Sequence, residues 1–490
     1  MRFCFERKDF VDVTIQPNKI AIYGEDRTVT WLELQKEVKQ FCEVLEATDY
    51  QNSKNPFVIY GHKQVDFIVA VYACIKSQIT YIPIDVIYPT DRLQRILEIA
   101  NVGIIINCTN APLNLSFKHE LLLNNGKVEF LYQTHPTFEK DTHQDKLIYI
   151  IFTSGSTGEP KGVQISTSAV QSFIRWMTGD FSFSSEDVFV NIALFSFDLS
   201  VYELLTFSAL GASIMLNSKS TIETPDFFLQ RLEECKATIW VSTPSFSFVF
   251  SRMASEQIKN NIKFFLFCGE MLPNVLAKTL KTNYPEAKIY NTYGPTEATV
   301  ATTLVEITEE IIEKYNPLPV GFSKRESQLL LDEEEIVIVG PNVSLGYLNR
   351  PDLNETKFIQ INGERAFKTG DLGFFKDDML FCKGRNDDQI KHNGYRIELN
   401  EITAKIEELD TVIKAETIAL KRNEEVKKIV SLVEVENLEK TPSKEFILNF
   451  LAKSLPTYMI PSDIKFIDKM PLNQNGKADK NVLREIYLKK

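Results

Sequence analysis

No run of about 18 or more apolar residues occurs, so no segment has the make-up of an ordinary membrane-spanning helix. The first residues, Met1-Arg2-Phe3-Cys4-Phe5-Glu6-Arg7-Lys8-Asp9, mix charges without an apolar stretch or a small-residue cleavage site, and a cytoplasmic protein without membrane insertion is expected. The seven cysteines are scattered, odd in number and never spaced C-x-x-C. That excludes a disulfide framework or cysteine-rich zinc site and predicts reduced thiols. Positive charge is in deficit, 55 Lys and Arg against 66 Asp and Glu for a formal net charge of −11, which leaves no overall electrostatic footprint for nucleic acid. Internal repeats, low-complexity tracts and long linkers are missing as well.

What is present is a chain of 490 residues, 44% of them hydrophobic, too long for one ordinary core. Short β-branched and aromatic runs at 57–60, 81–84, 103–108, 147–152, 213–216, 238–242, 263–268 and 288–290 alternate with longer helix-like segments. The alternation predicts an α/β fold: a large N-terminal lobe of mostly parallel sheets with flanking helices, its chemistry on loops at the carboxyl ends of strands. At 383–388 the pattern breaks into the charged stretch KGRNDD. Beyond it, helix-like 398–409, strand-like 415–420 and 429–435, and helix-like 444–455 predict a small mobile α+β domain. The expected division is 1–386 and 387–490, with a hinge between them.

The strongest local signal is an apolar strand, Tyr149-Ile150-Ile151-Phe152, running into Thr153-Ser154-Gly155-Ser156-Thr157-Gly158-Glu159-Pro160-Lys161-Gly162. Glycines let backbone N–H groups turn toward an anion, hydroxyls add donors, and Lys161 adds a point charge, a combination suited to polyphosphate. It is not the G-x-x-x-x-G-K-[ST] loop, since no Ser or Thr follows Lys161. By composition alone such a loop is as readily a flexible connection.

The order of residues in TSGSTGEPKG resembles the signature loop of the adenylate-forming superfamily, which includes acyl-CoA synthetases, luciferases and nonribosomal peptide adenylation domains. Six further segments match that family in sequence order: YIPIDVIYPTDR (81–92), FSFDLSVYE (195–203), NTYGPTEAT (291–299), KTGDLGFF (368–375), GRNDDQIKHNGYRIEL (384–399) and PLNQNGKADK (471–480). The resemblance implies ATP and Mg²⁺ as cofactors. It implies that Thr153, Ser154, Gly155, Ser156, Thr157, Gly158 and Lys161 hold phosphate. Asn291, Thr292, Tyr293 and Thr296 would surround the adenine, Glu297 would help coordinate Mg²⁺, and Asp371 would accept hydrogen bonds from the ribose hydroxyls. An ionised carboxylate suits that role because it only accepts. Arg385 would reinforce ribose or phosphate contacts, and Asp387 would be the hinge. Lys477 would bridge attacking carboxylate, ribose and phosphate, neutralising charge that builds in the transition state.

The resemblance also supplies an acyl pocket of Asp198, Leu199, Tyr202, Val241, Leu266, Cys268, Thr292, Val300 and Ala301. A carboxylate beside a pocket, costly to bury without a cation, fits an amine-bearing substrate better than a fatty acid. Cys268 is read as a wall rather than a nucleophile, having no basic partner near it in sequence. The set is similar to that of D-alanine:D-alanyl carrier protein ligases, which serve teichoic acid D-alanylation, and departs from them at Tyr202 and Leu266. The function implied is activation of a small amino acid, D-alanine foremost, and its transfer to a phosphopantetheine thiol. A stand-alone peptide-synthetase enzyme for another small amino acid is the alternative, and a non-catalytic binding relative a remote one. No G-x-[DH]-S-[LI]-like carrier segment and no H-H-x-x-x-D-G motif is present, so the acceptor is expected on a separate carrier protein.

Overall fold

Runs such as Ser213–Leu216, Ile239–Ser242 and Phe264–Phe267 become central strands because every residue in them is buried on one face or the other. Continuous apolar runs of this length suit parallel sheets covered on both sides. The computed structural model describes residues 16–489 apart from 116, 118, 133–134, 143–144, 156–158, 251–252, 386, 393, 423–424, 436–441 and 473–477. The chain divides into two compact units, Met1–Val86 with Leu97–Ile151 and Gly162–Gly384, and Ile87–Ile96 with Phe152–Lys161 and Arg385–Lys490.

The first unit is built on two large sheets. In the nine-stranded one, Lys288–Tyr293, Phe264–Phe267, Ile239–Ser242, Val188–Asn191, Ser213–Leu216 and Ile20–Tyr23 run parallel, and antiparallel strands close both edges. The seven-stranded sheet has Phe57–Gly61 at its centre between Tyr81–Asp85 and Ile104–Asn107, again parallel. Helix Trp31–Ala47 opens with a capping box between Thr30 and Glu33, and its buried residues Trp31, Leu34, Val38, Phe41 and Leu45 recur at helical spacing. Helix Val65–Lys76 is buried on nearly every side, as its uniform apolarity requires. A third sheet is antiparallel, organised around the 13-residue strand Glu364–Lys376. It extends the mostly parallel expectation. Its longest strand mixes buried and exposed positions, so its apolar signal is broken.

In the second unit, the strands Val412–Arg422, Glu425–Val435 and Asp463–Ile467 form a three-stranded sheet. Helices Leu399–Glu407, Lys444–Ala452 and Lys480–Leu488 accompany it, the last two capped by the side chains of Ser443 and Asp479. The hairpin Gln389–His392 with Tyr395–Glu398 leads into this unit's core. Among the described residues the cysteines are unpaired, and no helix is long and apolar enough to cross a membrane.

Candidate active site

In the first unit, strand Lys288–Tyr293 carries Asn291, Thr292 and Tyr293 between a parallel and an antiparallel neighbour. Asn291 is buried, and its amide nitrogen donates to the Pro319 carbonyl at 2.7 Å. Its Oδ1 is a buried acceptor without a hydrogen-bond partner. Such an orphan costs about 1–3 kcal/mol unless a donor meets it, and an exocyclic amine on a base would do so. The Tyr293 hydroxyl donates to Asp371 Oδ2 at 2.7 Å. Burial, reinforced by that carboxylate, pushes the Tyr293 phenol well above its usual range, so the phenol keeps its proton and serves as the donor. The Asp371 backbone N–H donates to Thr369 Oγ1 at 3.0 Å, fixing the carboxylate's base.

After Tyr293 the chain turns at Gly294, where an added Cβ would lie 2.5 Å from the Ala301 Cα. Only glycine permits that approach. Thr296 and Glu297 follow in a short 3₁₀ turn, Thr296–Ala298, and both are buried. Glu297 accepts the Tyr347 O–H at 2.6 Å. A single carboxylate of this kind suits Mg²⁺, which is commonly held by one or two carboxylates together with substrate phosphates. No group of three or more His, Cys, Asp or Glu among the described residues could hold a metal on its own. Thr299 and Val300 then adopt φ of 55° and 69°, left-handed values that β-branched side chains disfavour by about 1–3 kcal/mol each. Asn342 offsets this by donating to the Ala298 carbonyl and to Thr302 Oγ1 at 3.0 and 2.9 Å, while its own carbonyl accepts Thr299 Oγ1 at 2.7 Å.

The acyl-pocket residues divide by their surroundings. Val241 and Leu266 are cross-strand partners, both buried. Tyr202, fully buried, packs edge-on against Phe173 with ring centroids 5.4 Å apart. Its hydroxyl meets Thr292 Oγ1 at 2.7 Å, and Thr292 in turn donates to the Phe267 carbonyl at 2.8 Å. The Cys268 thiol faces the Val300 carbonyl at 3.9 Å. Val300 and Ala301 are buried, whereas Asp198 and Leu199 are partly exposed in the 3₁₀ turn Asp198–Ser200. Sequence reasoning missed Lys324. Its buried ammonium donates to the Ala301 carbonyl at 3.3 Å, and burial lowers its pKa to about 7.

The second unit holds the loop that begins at Thr153 and closes on Lys161. At Gly155 a Cβ would sit 1.9 Å from the Glu159 carbonyl oxygen, so the tight turn there demands glycine. Thr153 Oγ1 is buried without a partner, a second orphan suited to an oxygen-rich ligand. Ser154 Oγ donates to the Arg396 carbonyl at 3.0 Å and accepts the Glu398 N–H at 3.2 Å. The Gly155 N–H donates to Glu401 at 3.1 Å, and Glu401 also pairs with buried Arg92 at 2.7 Å. Lys161, 7% exposed, lies 3.3 Å from Glu398. The Gly155 N–H and the Lys161 ammonium are thus engaged by carboxylates, acceptors of the anionic kind that phosphate would be, while Ser154 Oγ donates to a backbone carbonyl. Glu398 stands inside the quoted GYRIEL stretch, but nothing in the sequence marks it as a partner of Lys161. Arg385 grips Asp387 through two bonds of 2.6 Å. Although burial alone would raise it, that fork holds the Asp387 carboxyl below its ordinary value. Ser156, Thr157, Gly158 and Lys477 lie outside the described residues.

Known proteins agree on the class. The model of a family described as AMP-binding enzyme matches residues 11–348. A D-alanine–D-alanyl carrier protein ligase from Bacillus anthracis (strain CDC 684 / NRRL 3495) is 37% identical over 493 residues, covering 96% of this chain and 97% of its own. One from Bacillus thuringiensis (strain Al Hakam) is 38% identical with the same coverage. Among solved structures, the Vibrio cholerae adenylation domain AlmE, in complex with glycyl-adenosine-5'-phosphate, is similar with a TM-score of 0.82 at 19% identity over 96% of this chain and 94% of its own. IdnL1 gives 0.81 at 21% identity over 93% of this chain and 96% of its own.

Proposed function

This chain belongs to the AMP-binding enzyme family, and from that premise we propose that it activates D-alanine with ATP and transfers it to the phosphopantetheine thiol of a separate carrier protein. The observation that carries the reading is identity of 37–38% with D-alanine–D-alanyl carrier protein ligases across nearly the whole of both chains. The orphaned Asn291 Oδ1 and the fixed Asp371 carboxylate support a nucleoside on the first unit. The donors of Thr153, Ser154, Gly155 and Lys161 support phosphate binding on the second.

In the first step a carboxylate oxygen of D-alanine attacks the α-phosphorus and pyrophosphate leaves; in the second the thiolate attacks the acyl carbon and AMP leaves. Asp198 pairs with the α-ammonium, and Tyr202, Cys268 and Thr292 bound the methyl group. Mg²⁺ at Glu297 supplies charge neutralisation between phosphate oxygens when bound. Lys161 and Lys477 counter the charge that gathers on the phosphates, a contact of a kind typically worth about 3–4 kcal/mol. The domain 387–490 swings about Asp387 between the two steps, so that Lys477 serves only the first. The use of ATP supports a cytoplasmic site of action, with teichoic acid D-alanylation as the pathway.

The test is carrier loading followed by intact mass. With D-alanine, ATP and Mg²⁺, a phosphopantetheinylated carrier should gain one alanyl group, and the same carrier without its prosthetic group should gain none. Equal labelling of both forms, or none of either while AMP accumulates, would contradict transfer to the thiol.

A further inference from the structure

A buried polar cluster that the reaction does not use lies at the carboxyl ends of strands Phe57–Gly61, Tyr81–Asp85, Val188–Asn191 and Ser213–Leu216, all in the first unit. Lys63 is its centre, 4% exposed. Its ammonium donates to Asn191 Oδ1 and to the Ala193 carbonyl and stands 4.3 Å above the Phe195 ring. Phe195 in turn packs on Phe67 with centroids 4.8 Å apart. Asn191 also donates toward Glu203 at 3.4 Å, and Asn217 donates to the Asn191 carbonyl at 3.0 Å. Asp85 meets His62 Nδ1 at 2.7 Å, and His62 Nε2 accepts the Lys219 N–H at 3.1 Å.

The segment between Asn191 and helix Val201–Leu210 carries Asp198, and the cluster grips it on both flanks. Upstream, Lys63 fixes the backbone at Ala193 and the ring of Phe195. Downstream, Glu203 sits in the first turn of that helix, fully buried, with Oε2 lacking a partner. In between, Ser200 Oγ donates to the Phe197 carbonyl at 2.7 Å. An ammonium sealed from water is costly, and a well-packed apolar residue of similar volume is often no worse for stability. What an apolar residue cannot do is bind Asn191 and the Ala193 carbonyl at once and so fix the path of the chain toward Asp198.

We propose that Lys63, with Glu203, is a positioning residue that sets affinity for the amino acid by holding the 193–198 segment and hence the Asp198 carboxylate. The proposal rests on the reading of Asp198 as the partner of the substrate ammonium. The experiment is a double-mutant cycle read by ATP–pyrophosphate exchange, with KM for D-alanine and for ATP measured separately in Lys63→Met, Asp198→Ala and the double variant. Lys63→Met should raise the amino-acid KM about tenfold and move the ATP KM less than about twofold. The double variant should bind D-alanine no worse than Asp198→Ala alone, because Lys63 has no carboxylate left to place. Glu203→Leu, which removes the acceptor that Asn191 meets while staying close in size, runs the same cycle if Lys63→Met does not fold. Additive effects in the double variant, or an ATP KM that rises as much as that for D-alanine, would overturn the proposal. If Asp198→Ala alone leaves the D-alanine KM unchanged, the reading of Asp198 fails and the proposal with it, a result distinct from either of the others.

Discussion

A carboxyl group sealed from water at position 203 gives the protein's stability a pH dependence of definite sign. Burial raises the Glu203 pKa from its ordinary 4.5 to about 8, against the weaker pull of Lys63. Between those values the folded chain holds a proton that the unfolded chain has lost, so stability is fully present below the ordinary pKa and declines as pH rises toward 8. The slope approaches about 1.4 kcal/mol per pH unit. Lys63, lowered by burial to about 8, acts in the opposite sense and only above that window. Thermal melting from pH 5 to 8 should therefore show the wild type losing Tm relative to Glu203→Gln as pH rises, and parallel curves would contradict it. Glu203 lay within a segment whose importance the sequence reveals, FSFDLSVYE, yet its burial was illegible there. A Glu looks the same in sequence whether its neighbours in space are water or Asn191. Lys161, by contrast, is singled out in the sequence by the order of residues in one continuous loop, although its pairing with Glu398 is not.

At the scale of elements, the turn after strand Lys288–Tyr293 is the one where local preference and tertiary demand conflict. Thr299 and Val300 are held in left-handed conformations, and Asn342, distant in sequence, supplies the bonds that keep them there. Asn342→Ala removes the side-chain donor to the Ala298 carbonyl and Thr302 Oγ1 at a cost of about 1–3 kcal/mol and loosens the turn on both sides of the strained pair, while the backbone carbonyl of residue 342 still accepts Thr299 Oγ1. A lower Tm together with a higher D-alanine KM is expected, since Val300 and Ala301 wall the proposed acyl pocket. A lower Tm with an unchanged KM would show that the turn tolerates relaxation. The motif NTYGPTEAT marks this turn in the sequence, whereas Asn342 belongs to no motif and was invisible. Apolar runs announced parallel strands such as Phe57–Gly61, Ser213–Leu216 and Phe264–Phe267 within a few residues of their ends, but not Ile20–Tyr23 or Val188–Asn191, which are also parallel, in the nine-stranded sheet. The antiparallel sheet around Glu364–Lys376 was not announced: its longest strand mixes buried and exposed positions, and the apolar run Ile336–Val339 beside it was not read as a strand.

At the scale of the whole molecule, two compact units and two successive reactions go together. If Lys477 acts only in adenylate formation, Lys477→Ala should lose that half-reaction by ~10²–10³ in rate while transfer from synthetic alanyl-adenylate to the carrier proceeds nearly unchanged. Equal loss of both steps would contradict the assigned role. Composition changes at 383–388, and the last segment of the second unit starts at Arg385 within that stretch. The association of 87–96 and 152–161 with Arg385–Lys490 was not legible, since contacts between distant segments leave no mark on either one. The central claim is that this chain activates D-alanine, and amino-acid-dependent ATP–pyrophosphate exchange across D-alanine, L-alanine, glycine, L-serine, L-threonine and L-proline tests it most directly. The account predicts that D-alanine gives the dominant exchange; dominant exchange with any other member of the panel would contradict it.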